Sequence, residues 1–178
     1  MDVSLAKEFY FREFEGKAQQ DTRLGVYVAL LSAVGGVLIY LIRSAWSGQT
    51  NWFLGSLAFS FVSVVLYFLA IVWVLRATVG FIYEKLSSPD ILLAYWQDLS
   101  LYYQENPEIN GSATSDFDDF LVRHFSSAAT RNASNNYARS ARYYRAAQFL
   151  LWVVIFSALA GICLALNQLL IGFCSKGV

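Results

Sequence analysis

Ser56, Ser60 and Ser63 recur at intervals of four and three, which sets three hydroxyls on one face of a helix. Hydroxyls so placed can bond across a helix interface or line a narrow polar path. Ser157, Gly161 and Ala165 repeat at intervals of four. Gly25, Ala29 and Ala33 do the same, with Ser32 and Gly36 beside them. Small residues at this spacing let helices approach closely. The pattern suits packing of helices within one chain, and it also suits self-association into a homo-oligomer with the serines as polar lining. A second group is cationic. Arg131, Arg139, Arg142 and Arg145 stand among Tyr137, Tyr143 and Tyr144. The last three arginines spread over roughly 120° of a helix. Such a set anchors a chain against anionic lipid headgroups, or docks an anionic partner such as a nucleotide signal or an acidic protein face.

Catalytic chemistry finds little to work with. The chain has one histidine, His124, between Arg123 and Phe125, so neither a histidine metal cluster nor a relay can form. Cys163 and Cys174 would lie about 16 Å apart on a helix, beyond disulfide reach. Asp116, Asp118 and Asp119 carry oxygen ligands but lack the loop of a calcium site; after Ser115, read as an N-cap, they suit the first turn of a helix. No glycine-rich phosphate loop or paired-cysteine spacing occurs. The expectation is a protein that is not an enzyme and uses no cofactor or metal.

The elements that hold these residues are membrane helices. Of 178 residues, 57% are hydrophobic and 15% charged, and mean hydropathy is +0.44. An ordinary soluble domain is roughly 45–50% apolar and about 25% charged. Thirteen basic and thirteen acidic residues cancel, so no global field points to nucleic acid, and no sequence-specific nucleic acid is expected. Charge-free runs long enough for a bilayer begin at Leu24, Trp52 and Ala146. They predict spans over 24–43, 52–75 and 146–171, with a short external loop at 44–51 and an external tail at 172–178. Residues 1–23 read as a cytoplasmic amphipathic helix. Their acids, among them Glu13 and Asp21, make that leader a retained anchor rather than a cleaved signal.

Lysine and arginine set the orientation. Eleven fall before the first span or in 76–145, whereas only Arg43 and Lys176 fall on the other side. All the acids lie with the majority. The N-terminus and the middle region are therefore expected in the cytoplasm and the C-terminus outside. Trp46 and Trp52 suit the outer boundary, Trp73 and Trp152 the inner one.

Within 76–145 the second span is expected to continue as a stalk from Arg76 to Leu86. Ser88-Pro89 starts a short helix with Ile91, Leu92, Tyr95, Leu99 and Tyr102 on its packed side, and Asn106-Pro107 ends it. After the loop at 110–114, neither glycine nor proline occurs until Gly161. One helix can therefore run into the third span, with a bend expected around 129–136. The fold class is an all-α integral membrane protein, three transmembrane helices extended into a cytoplasmic helical bundle.

Phe14-Glu15-Gly16-Lys17 and Asp21-Thr22-Arg23-Leu24 precede two spans, a helical cytoplasmic insert and an Arg/Asn-rich helix feeding a last span. This layout resembles small bacterial membrane effectors of anti-phage systems. These are the SLATT-type two-span effectors and the membrane proteins that accompany retron reverse transcriptases. The resemblance implies an inner-membrane effector, held or triggered by a cytoplasmic sensor protein or nucleotide signal, which perturbs or depolarises the membrane. The third span departs from the two-span pattern. A non-catalytic scaffold subunit of a membrane complex and a small housekeeping ion channel are the other functions this sequence accommodates.

Overall fold

A computed structural model describes residues 2–46 and 51–174, with side chains over 2–46 and 54–169. The external loop and tail expected at 44–51 and 172–178 fall largely outside these residues, as do the side chains of Trp52 and Cys174. Among the described residues helix is the only regular structure, with no strand. The helices are α1 (Val3–Trp46), α2 (Asn51–Thr78), α3 (Pro89–Glu105) and α4 (Ala113–Cys174). Three of them, α1, α2 and α4, are long and apolar enough to cross a membrane. Only 17%, 22% and 33% of their most apolar windows is buried within the chain. Most of that apolar surface therefore faces outward, as lipid contact requires. The chain divides into two compact units, Met1–Gln20 with Phe81–Ala138, and Asp21–Gly80 with Arg139–Val178.

In the first unit Ala6, Tyr10, Phe125, Ala128 and Ala129 form a buried cluster. Tyr10 meets Phe125 edge-on at 5.8 Å, and the alanines let the helices close around that pair. Helix α3 lies on the start of α4 through Tyr95 on Phe120 at 4.6 Å and Trp96 on Phe117 at 5.2 Å. Its covered side is Leu92, Trp96, Leu99 and Tyr103. This corrects the expected stripe, since Ile91 and Tyr102 are exposed. Ser88 and Pro89 start α3 and Asn106 ends it, as the sequence indicates.

The start of α4 is also corrected. Ser112 rather than Ser115 caps the helix, its hydroxyl accepting the Ser115 N–H at 3.1 Å. Asp116 in that first turn accepts the Tyr103 hydroxyl at 2.7 Å, which raises the phenol above its ordinary pKa. The Asn-rich stretch expected to bend stays helical within α4. Its asparagine side chains bond to other segments of the chain.

The expected stalk does not form. α2 ends at Thr78, Gly80 takes φ +90°, and residues 81–88 carry no helix. Glycine tolerates that left-handed conformation without Cβ strain, so the helix stops there. Backbone released from a helix needs new partners, and α4 supplies them. Asn132, fully buried, accepts the Glu84 N–H at 2.9 Å and donates to the Glu84 carbonyl at 3.1 Å. Asn135 donates to the Ile82 carbonyl at 2.8 Å. Asn136 accepts from the Tyr83 hydroxyl at 2.6 Å and donates to the Glu13 carbonyl at 2.8 Å.

In the second unit, Leu31, Ala70, Val74, Ala77, Tyr143, Ala146 and Leu150 form the buried cluster. Tyr27 stacks on Tyr143 at 5.1 Å and 8°. Close approach is tightest at Gly35, where a Cβ would lie 2.8 Å from the Tyr67 hydroxyl. That hydroxyl donates to the Leu31 carbonyl at 3.0 Å.

Substituting Asn132→Ala leaves the Glu84 N–H and carbonyl without partners. Two stranded backbone groups cost about 2–4 kcal/mol together. Thermal unfolding in detergent should show that loss, whereas Asn135→Ala, removing one exposed bond, should cost about 0.5–1 kcal/mol.

Candidate functional site

Along the interface of α2 and α4 the second unit buries a row of polar side chains. Ser56, Ser60 and Ser63 are at most 1% exposed, and Ser157 and Asn167 are also buried. Helix periodicity explains the row on each side, since intervals of three and four keep side chains on one face. The Ser157 hydroxyl donates to the Ser63 hydroxyl at 3.4 Å. At Gly55, a Cβ would lie 3.7 Å from Cys163 Sγ. Residue numbers thus rise on one helix as they fall on the other, so the two run antiparallel. From Ser157 to Asn167 the row covers about 15 Å of helix.

Three polar atoms in it, Ser56 Oγ, Ser60 Oγ and Asn167 Oδ1, are buried without hydrogen-bond partners. Each such atom costs about 1–3 kcal/mol when left dry. The side chains are neutral, so they offer oxygen ligands and hydroxyl donors to water or a monovalent cation, but no titratable group for a proton relay. The sequence marks Ser56, Ser60, Ser63 and Ser157 but treats Asn167 only as an interruption of an apolar run. Its spacing of four from Cys163, which meets Gly55 of α2, is the signal that places it on the face toward α2.

The other small residues part company with this row. Gly161 is half-buried and a Cβ there would sit 3.9 Å from Leu41 Cδ2, so it packs within the chain; Ala165 is exposed. Gly25, Ala29, Ser32, Ala33 and Gly36 are all exposed, and nothing lies within 4 Å of a Cβ at Gly25 or Gly36. They lie about 160° around α1 from the buried Leu31 and Leu38. The same sequence pattern therefore serves an inner face on α2 and an outer face on α1.

The arginines are likewise divided. Arg139 is 4% exposed and turned inward, which corrects its expected place against lipid or an anionic partner. Its Nη2 binds Asp21 at 2.8 Å and its Nε donates to the Ala77 carbonyl at 3.1 Å. Arg142 donates to the Arg76 carbonyl. These are the last carbonyls of α2, left without partners by the end of the helix, and cations there also suit the helix dipole. Arg145 remains exposed, 4.7 Å above the Trp73 ring, with Arg76 5.6 Å from the same ring. Arg131 is exposed beside Glu84 at 3.3 Å.

His124 stacks on Phe120 at 5.6 Å and its Nε2 lies 3.4 Å from the Ser87 N–H. Cys163 is buried. No known family, curated protein or solved structure matches this chain.

Replacing Ser60 by alanine removes a hydroxyl that has no partner. Unfolding in detergent should show unchanged stability or a gain of up to about 1 kcal/mol. Ser60→Leu should lower stability by about 1–3 kcal/mol by overfilling a closed interface. A clear loss in Ser60→Ala would mean that this hydroxyl is bonded.

Proposed function

We propose that this protein is a bacterial inner-membrane effector which self-associates and depolarises the membrane when a cytoplasmic partner signals. In this reading α1, α2 and α4 supply the three spans, with the N-terminus and residues 76–145 in the cytoplasm and the C-terminus outside. The concentration of Lys and Arg before the first span and between the second and third supports that orientation. The first unit receives the signal, from a sensor protein or a nucleotide, and the second acts on the bilayer. No catalytic step, cofactor or metal is assigned. The layout resembles that of anti-phage membrane effectors, from whose two-span pattern the third span departs.

One observation carries the self-association. Gly25, Ala29, Ala33 and Gly36 present a small-residue face on α1 that is exposed among the described residues. In lipid, such a face gains close van der Waals contact when a second copy meets it. The burial of Ser157 and the contact of Gly161 with Leu41 support the same division, because both face the inside of the chain and leave α1 as the outward surface. A second reading, a scaffold subunit, draws support from Ile82, Leu93 and Leu101. These are exposed apolar side chains of the first unit that suit a protein partner.

Inducing the chain alone in a bacterial host, with a voltage-sensitive dye and viable counts, tests the reading. The effector predicts depolarisation with loss of viability. Ala33→Leu with Gly36→Leu should relieve both, since losing about 1.4 kcal/mol of packing weakens association tenfold. Normal potential and growth from the native chain would favour the scaffold. Steady conductance without toxicity would favour a housekeeping channel.

A further inference from the structure

We infer that the groove between α1 and α4 in the second unit is a seat for one anionic phospholipid, its phosphate on Arg23 and one acyl chain along the apolar remainder. The inference rests on the membrane reading of the helices and is independent of self-association.

The groove encloses about 620 Å³, within the range of roughly 300–1,000 Å³ typical of ligand sites. Its lining is chemically graded along the helices. At one end stand Arg23 and Ser140, where the charge-free run of α1 begins. Beyond them the walls are aliphatic, with Leu30 and Val34 from α1 facing Leu151 and Val154 from α4. From Arg23 to Val34 is about 16 Å of helix, close to the 15 Å or so of one leaflet's hydrocarbon. A molecule with an anion at one end and a chain of that length fits this gradient.

Two further observations favour lipid over a second copy. Among the described residues Arg23 makes no ion pair, and the charge-free spans contain no aspartate or glutamate to approach it. A second copy aligned in the same membrane would bring its own Arg23 to that level, with its Asp21 already held by Arg139 at 2.8 Å. Tyr143 also lines the groove, is 2% exposed, and has a hydroxyl without a hydrogen-bond partner. A lipid ester or phosphate oxygen is an acceptor for such a donor, while an aliphatic side chain is not. The small-residue face of α1 lies roughly a third of a turn away from the groove residues, so the lipid seat and the self-association surface do not coincide.

The test uses the full chain, purified in detergent and equilibrated with equal phosphatidylglycerol and phosphatidylcholine of the same chain length, then read by native mass spectrometry. One retained phosphatidylglycerol per chain is expected, preferred about fivefold, as one arginine near a headgroup provides. Arg23→Gln should equalise the two lipids. Leu151→Trp, at an exposed position that fills the groove, should reduce retention of both. Val154→Trp provides a second plug should the first variant lose helical circular dichroism. Glycerophosphate, a headgroup without chains, should not displace the bound lipid.

Equal retention of the two lipids by the native chain would overturn the proposal, as would a preference that survives Arg23→Gln. Efficient cross-linking between copies through L151C would show a second copy covering the groove and would overturn it too. A chain that stays in solution without detergent would instead defeat the membrane reading, an outcome separate from lipid preference.

Discussion

A helix that ends leaves its last carbonyls without partners, and where water is scarce that constraint governs everything nearby. Here α2 ends at Thr78, and α4 answers with Arg139 and Arg142 on the carbonyls of Ala77 and Arg76. Arg139 also holds Asp21 of α1. One buried guanidinium thereby joins three helices. Its planar fork of donors suits that task better than a lysine's single ammonium. The stop at Gly80 and the antiparallel register that brings Ser63 to Ser157 are consistent with this junction. In the first unit the same need for backbone partners is met by Asn132, Asn135 and Asn136.

Much of the architecture is legible in residue order. Charge-free runs mark the three long apolar helices, Ser88-Pro89 and Asn106-Pro107 bracket α3, and the absence of glycine and proline from 112 to 160 lets α4 run on into its apolar part. The errors have physical causes. Gly80 stands amid apolar residues that read as continuing helix, yet it supplies the positive φ that stops α2. Ser115 reads as the cap because three aspartates follow it closely, yet the hydrogen bond from its own N–H shows that Ser112 holds that place. The Arg/Asn-rich run of α4 suggests a surface for outside partners, because open carbonyls on another segment leave no mark in sequence. That is why Arg139 was expected at the lipid surface and lies inside.

The candidate site shows the limit of periodicity most sharply. Small residues every four positions say that close approach is allowed, but not what approaches. On α2 the serines turn inward and meet α4, while on α1 Gly25, Ala29, Ala33 and Gly36 turn outward. The polar row inside a single chain therefore need not be the lining between copies. An effector built this way would keep its hydroxyls within each bundle and use α1 to assemble.

Cysteine cross-linking in native membranes tests that division most directly. With Cys163 and Cys174 replaced, single cysteines are placed by Ala29→Cys on the outer face of α1 and by Ser60→Cys within the row. Copies that cross-link through position 29 and stay monomeric through position 60 are the expected result. Cross-linking through position 60 with none through position 29 would contradict it, and would place the serine row between copies instead.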